Sequence, residues 1–212
     1  TFAVLLFSCS QEAEQVEGAA APPKDSWALA DGSEFPTGRP LSRAEDGVEL
    51  PDGTLIVADQ RYGLAKIDTA GNVEPFGNFE AVNYAHNPPA REGGPNGVHF
   101  TADETDILTA DVFSGQIYKT SVEAGTTEVI YSHDFGVNTA IEDSTGAIWF
   151  TQSTQNLTEE RLFEAIARPI PDGVLYRLPP ETDASESTKP EVVLEGLSFA
   201  NGFYLDESNN RF

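Results

Sequence analysis

The sequence predicts an all-β fold, a β-propeller that stops after about three blades and the start of a fourth. Short apolar or β-branched segments alternate with turns rich in Gly, Asp and Pro. These segments recur in units of about 40 to 50 residues with four strands each, which is typical of propeller blades. In every unit an acid or amide also stands eight residues ahead of a turn, at Glu45, Asn96, Asn138 and Asn201.

The units follow one order: an apolar strand, a turn, a β-branched or aromatic strand, a strand of the type Gly-x-apolar-x-basic, and a fourth strand. The predicted strands are 47–50, 54–59, 63–68 and 73–76 in the first unit, 97–100, 106–111, 115–119 and 128–131 in the second, and 139–142, 147–151, 173–177 and 191–194 in the third. A fourth unit is predicted to begin with a strand at 201–205.

An insertion interrupts the third unit and is predicted to form a short amphipathic helix. Thr158 is a suitable N-cap, and acidic residues follow it in the first turn, where the helix dipole favours them. Leu162, Phe163 and Ile166 share one face, and Pro169 ends the helix. Such a helix over one end of a propeller forms a lid or pocket wall, or it covers a sheet edge.

The start of the chain is predicted to be a targeting and tethering region. Cys9 follows a short apolar stretch that ends in Leu-Phe-Ser, which resembles the lipobox of a bacterial lipoprotein signal. Residues 1–9 are then the remnant of a signal peptide, with Cys9 lipidated; the alternative is a lone cysteine in a secretory signal or a buried apolar segment. Residues 10–42 are interpreted as a flexible linker and lead-in, and 43–212 as the partial propeller. The absence of Met indicates a fragment.

The charge excludes some partners. Twelve Lys and Arg stand against 35 Asp and Glu, a formal net charge of -23. A surface this acidic argues against binding nucleic acid or anionic lipid, so the expected membrane contact is the N-terminal lipid anchor alone. Small neutral ligands, cations and cationic partners remain open.

The recurring acid-or-amide position predicts a cation site. The first strands of propeller blades run along the central channel in one direction, so Glu45, Asn96, Asn138 and Asn201 are expected at the same height, aimed at the axis. Carboxylate and amide oxygens suit Ca²⁺. Zinc is not expected, because the histidines lack ligand spacing. Two alternatives stay open: each Asn-Gly pair is a turn and nothing more, or Asp46 takes the place of Glu45.

The sequence resembles the superfamily of gluconolactonases, senescence marker protein and luciferin-regenerating enzyme, and the related strictosidine-synthase-like propellers. The resemblance covers residues 43 to 212. It lies in Glu45-Asp46-Gly47, in Gly94-Pro95-Asn96-Gly97-Val98, in Trp149-Phe150-Thr151 after Asn138, in Gly173-Val174-Leu175-Tyr176-Arg177, and in Phe199-Ala200-Asn201-Gly202. Thr139 and Gln152 stand where the family pattern has Asp.

This resemblance implies a six-bladed propeller with one divalent cation, usually calcium, that hydrolyses lactones or related esters. Glu45, Asn138 and Asn201 then correspond to metal ligands, with Asn138 also touching substrate and Asn96 orienting it. The general base is expected in a later blade, beyond Phe212. His86 is an additional substrate-site candidate because its loop could reach the channel mouth, whereas His99 is interpreted as structural.

Three functions therefore remain open. The leading hypothesis is a calcium-dependent lactonase or esterase of the bacterial envelope, periplasmic or extracellular. The second is a non-catalytic propeller that binds a ligand or a protein, since a fold does not fix a function. The third is lyase chemistry like that of the strictosidine-synthase relatives.

Overall fold

The chain folds into consecutive four-stranded antiparallel sheets, as seen in a computed structural model. The model describes residues 34–84, 93–155, 164, 167–168, 170–180, 189–209 and 211–212. The described strands all lie within the unit Phe35–Phe212. Cys9 and His86 lie outside the described residues, as does most of the predicted helix in the insertion.

Each sheet is a simple meander. The first sheet contains β1 (Gly47–Glu49), β2 (Leu55–Asp59), β3 (Gly63–Ile67) and β4 (Val73–Phe76). The second contains β5 (Pro95–Phe100), β6 (Asp106–Asp111), β7 (Gln116–Ser121) and β8 (Thr127–Ser132). The third contains β9 (Val137–Glu142), β10 (Ile148–Gln152), β11 (Gly173–Leu178) and β12 (Glu191–Leu197). In every sheet the spatial order follows the chain order, so the predicted all-β blades are confirmed.

The turns between the first and second strands confirm the predicted register of the repeat. Gly53, Glu104 and Gly146 all have φ near the left-handed region, at 85°, 60° and 83°. Each lies eight residues after the acid or amide of its own unit. An aspartate at each turn fixes the geometry by accepting a backbone N–H two residues on: Asp52 from Thr54, Asp103 from Thr105 and Asp143 from Thr145.

The core consists of two apolar layers between neighbouring sheets. Alternation along the strands of the second sheet sends Ile107 and Tyr118 into a layer shared with the first sheet, around Ile56 and Leu64. The residues next to them in sequence, Leu108 and Ile117, enter the other layer with Val137, Ala140 and Phe150 of the third sheet. The second sheet is therefore buried on both faces, as expected of a blade between two blades.

The fourth unit differs from its prediction. Residues 201–205 form no strand, and the β pairing in the described part of the unit is limited to an isolated bridge between Asp206 and Arg211. A strand is stabilised by its ladder, and no described strand pairs with 201–205. The turn chemistry is nevertheless present, because Asp206 accepts the N–H of Asn209.

The insertion retains two described helical residues, Glu164 and Ala167. Arg168 donates its N–H to the Glu164 carbonyl at 2.9 Å, which is an α-helical spacing. Short 3-10 helices also occur at Phe79–Val82 and Glu207–Asn209. Among the described residues, none of the helical segments is long and apolar enough to cross a membrane.

Candidate functional site

The candidate site lies where the first strands of the sheets begin. Glu45 precedes β1, Asn96 lies in β5, Asn138 lies in β9 and Asn201 follows β12. These strand starts approach each other closely. The Val98 N–H donates to Asp46 Oδ2 at 3.1 Å, which joins the first sheet to the second.

Gly97 allows β5 to lie close to β9. A Cβ on Gly97 would lie 2.9 Å from the Asn138 carbonyl oxygen and 2.8 Å from the Thr139 Cα, so only glycine fits between these strands. A Cβ on Gly202 would lie 3.9 Å from Thr139 Oγ1, which places the start of the fourth unit beside the third. The segments around Asn96 and Asn138 are therefore neighbours, and so are those around Asn138 and Asn201.

Glu45 and Asn96 are linked by an arginine. Arg43 donates from Nη2 to Asn96 Oδ1 at 3.1 Å and from Nη1 to the Pro95 carbonyl at 3.2 Å. The same Nη2 lies 3.7 Å from Glu45 Oε1, and the guanidinium lies over the Phe113 ring, 5.2 Å from its centroid. Sequence reasoning did not single out Arg43, and no repeat or motif marks it.

Asn138 and Asn201 have different environments. Asn138 is buried, and its Oδ1 accepts a long hydrogen bond of 3.3 Å from Thr139 Oγ1. Asn201 is exposed; its Oδ1 accepts the N–H of Gly202, and its carbonyl accepts from Thr151 Oγ1 at 2.9 Å. Asp46, the alternative to Glu45, is occupied by the N–H groups of Gly47 and Val98 and by His99, whose Nε2 lies 3.6 Å away.

The oxygen atoms of the candidate residues are of the kind that a hard cation prefers. Glu45, Asn138 and Asn201 offer one carboxylate and two amide oxygens, which are ligands that Ca²⁺ accepts. Within the described residues no group of three or more His, Cys, Asp or Glu could hold a metal ion.

Buried aspartates at the ends of the second strands hold the candidate residues in place. Asp59 ends β2, and its Oδ2 accepts the N–H of Ser42 at 2.7 Å. Asp111 ends β6 and accepts the N–H of Gly94 at 2.9 Å, and also those of Phe113 and Ser114. Ser42 and Gly94 lead directly into the segments that carry Arg43, Glu45 and Asn96. Sequence reasoning missed this role, although the repeated Ala-Asp at the two strand ends was a visible signal.

Burial raises the pKa of Asp111, whereas the hydrogen bonds from the backbone N–H groups of Ser114, Gly94 and Phe113 act in the opposite direction. Its carboxyl group is completely buried and surrounded by donors. Three backbone N–H groups point at the Asp111 carboxyl oxygens, so this position favours a side chain that accepts hydrogen bonds and does not donate them.

Gln152 occupies the same repeat position in the third sheet. It is buried, its Nε2 donates to the Asp172 carbonyl at 2.8 Å, and its Oε1 lies 2.9 Å from His133 Nε2. The replacement of Asp by Gln at this position therefore changes the bonding within the sheet, since the partners here are a carbonyl and an imidazole.

His133 lies in an aromatic cluster. Its ring packs against Phe135, Phe150 and Tyr176, with centroid distances of 6.1, 5.2 and 4.9 Å. Burial lowers the pKa of His133, although the Gln152 hydrogen bond and the charge of Asp134 oppose that shift. The neutral imidazole is the form that this cluster stabilises.

This environment predicts acid sensitivity. The folded-state pKa of His133 lies below the ordinary value of about 6.5, so the unfolded chain binds the proton first as the pH falls. We expect the free energy of unfolding to fall from pH 7 to pH 5, and to fall less in His133→Phe, which keeps a ring in the cluster but cannot titrate. Urea denaturation of both proteins at the two pH values measures the difference. If both proteins lose the same free energy of unfolding between pH 7 and pH 5, His133 does not contribute to the acid sensitivity.

Comparisons with known proteins indicate a likeness in shape without a match in sequence. No protein-family model matches the chain, and no curated protein matches it. Among solved structures, a gluconolactonase of Xanthomonas campestris is 16% identical with a TM-score of 0.48, covering 73% of this chain and 48% of its own. A second protein assigned to the gluconolactonases is 14% identical with a TM-score of 0.47, covering 76% and 54%.

Other structures of similar shape have a different chemistry. A virginiamycin B lyase of Staphylococcus aureus, solved with quinupristin, is 13% identical with a TM-score of 0.43, covering 75% of this chain and 43% of its own. The chain spans about half the length of the two gluconolactonase structures. Because all these TM-scores are below 0.5, we infer the propeller architecture from the three observed sheets, and we infer the function from the candidate site and the sequence motifs.

Proposed function

We propose that the full-length protein is a calcium-dependent hydrolase of lactones or related esters, with Glu45, Asn138 and Asn201 as metal ligands. The observation that carries the proposal is the recurrence of an oxygen-bearing side chain at one repeat position, before or within the first strand of each sheet and at the start of the fourth unit. Four amides or acids at one position of a repeat are more than turn formation requires. The resemblance of the motifs to the gluconolactonase superfamily supports the same chemistry.

Each of the four candidate residues has its own role in the proposed site. Glu45 supplies the negative charge of the site, and Asn138, held between strands, supplies a fixed neutral oxygen. Asn201 is exposed and so stands at the entrance, while Asn96 orients the substrate. A bound divalent cation in such a site polarises a carbonyl group and stabilises the oxyanion that forms. The general base remains unassigned among these residues.

The test is acid release from a panel of lactones by the full-length protein, followed in a pH-stat with and without chelator. We expect Glu45→Gln and Asn201→Ala each to lower kcat/KM by about 100-fold or more, since even outer-shell substitutions at metal sites cost about 10- to 100-fold. Glu49→Gln is the matched control, because Glu49 is an exposed glutamate of β1.

The control is expected to keep full activity. Turnover that survives chelation, or unchanged activity in both site variants, would contradict the proposed metal site. The calcium requirement is tested separately by restoring the chelated protein with Ca²⁺ and with Mg²⁺.

A non-catalytic propeller that binds a ligand is the second candidate. Two observations favour it: Arg43 already supplies a positive charge beside Glu45, and Thr139 stands where the related pattern has Asp. Binding of lactones without turnover by the full-length protein would support this function over hydrolysis.

A further inference from the structure

The contacts of Arg43 indicate how the candidate cation site is controlled. We propose that Arg43 is a resident cation that competes with a divalent metal ion for Glu45 and thereby sets the metal affinity of the site. This inference rests on the proposed function, because it concerns the same ligands.

Arg43 joins two sheets at the site. Its guanidinium bonds Asn96 Oδ1 and the Pro95 carbonyl of β5, and it lies over the ring of Phe113, which follows β6. Glu45 approaches from the lead-in to β1, with Oε1 at 3.7 Å from Nη2. One positive charge therefore faces an oxygen from each of two neighbouring repeat positions.

The backbone presents Arg43 in a defined way. Arg43 has φ of 47°, a left-handed conformation that a long side chain rarely adopts and that persists only where surrounding contacts hold it. The residue before it is fixed, since the Ser42 N–H donates to the buried carboxylate of Asp59. The backbone on the N-terminal side of Arg43 is therefore held against the end of β2.

The bonds of Arg43 conflict with metal binding. Glu45 Oε1 is the carboxylate oxygen that the metal would use, Asn96 Oδ1 lies at the same repeat position of the next sheet, and both face the guanidinium. Arginine keeps its charge at all ordinary pH values, so it cannot relieve the conflict by losing a proton. A divalent ion at Glu45 must either displace the arginine or bind beside a like charge, and both lower its affinity.

The same geometry balances the charge of Glu45. Glu45 is about half exposed, and Arg43 provides its counter-charge without a metal. A neutral side chain at position 43 would leave Glu45 and Asn96 available to an incoming ion.

The experiment is a calorimetric titration of chelator-stripped, full-length protein with CaCl₂ at fixed ionic strength. We expect Arg43→Met, which keeps an apolar stem over Phe113 but no charge, to bind Ca²⁺ at least about fivefold more tightly than the unaltered protein. Arg43→Lys keeps the positive charge but loses the planar fork that bonds Asn96 and lies over Phe113, so its Ca²⁺ affinity is expected to lie between those of the unaltered protein and Arg43→Met. Lys66→Met is the matched control: it removes one positive charge from the same sheet, where Lys66 pairs with Glu74 and not with the site.

The outcomes separate the two proposals. Equal or weaker Ca²⁺ binding in Arg43→Met, with binding to the unaltered protein that Glu45→Gln abolishes, would overturn the role of Arg43 and leave the proposed function standing. Binding by Arg43→Met alone would support the role of Arg43 and contradict calcium dependence of the natural protein. Absence of binding in both would overturn both. Melting temperatures verify folding, and Arg43→Gln repeats the charge change if Arg43→Met does not fold.

Discussion

Replacing Asp111 by Asn is expected to lower the free energy of unfolding by about 3 kcal/mol, because a buried charged acceptor would lose its partners. The Asp111 carboxylate accepts the N–H groups of Gly94, Phe113 and Ser114 at 2.7 to 2.9 Å. An amide nitrogen in place of either oxygen would face at least one of these donors with a donor of its own. Denaturation by urea at pH 7, followed by circular dichroism and Trp fluorescence, measures the loss.

Asp106→Asn is the matched control at the opposite end of the same strand. Asp106 is partly exposed, and its Oδ2 accepts from Thr105 Oγ1 at 3.3 Å, so its replacement is expected to cost less than about 0.5 kcal/mol. If Asp111→Asn costs no more than this control, the carboxylate does not hold the start of the second sheet.

Gly136→Ala is expected to have a comparable effect for a steric reason. A Cβ on Gly136 would lie 1.9 Å from the Val112 carbonyl oxygen and 2.8 Å from its carbon, and both are backbone atoms of the residue that directly follows β6. The sheets would have to separate, so we expect a loss of about 3 kcal/mol in the same denaturation experiment.

Gly202→Ala provides the control for Gly136. A Cβ there would meet only Thr139 Oγ1 at 3.9 Å, which is ordinary contact, and the residue does not require a positive φ. A loss below about 1 kcal/mol is expected for it. A Gly136→Ala protein as stable as this control would mean that the close approach of the second and third sheets is not maintained in solution.

Local patterns in the sequence were enough to predict the strands and the repeat register. The recurring order of segments predicted a strand at 106–111, where the structure has β6 (Asp106–Asp111), and the spacing of eight residues led to the turns at Gly53, Glu104 and Gly146. These features depend on residues within one unit, where the periodicity of a strand and the preferences of a turn are sufficient.

The details of the site could not be predicted in this way. Arg43 reaches residues 52 and 53 positions further along the chain, and Asp111 holds an N–H 17 positions before it. No local pattern reports such a partner, because the contact exists only after the sheets have stacked. The strand predicted at 201–205 failed for a related reason: its apolar pattern is present, but no described strand pairs with it.

The meander order of the sheets has a consequence for how the chain can be divided. Every strand pairs only with strands adjacent to it in sequence, and the sheets meet mainly through side-chain layers. A cut between β8 and β9 would sever no hydrogen-bonded ladder, so the two pieces would each keep complete sheets and expose one apolar face. Two such fragments, when co-expressed, would carry complementary apolar faces and are expected to reassociate. The connections between sheets are therefore suitable positions at which to split the chain for a reporter or to permute it.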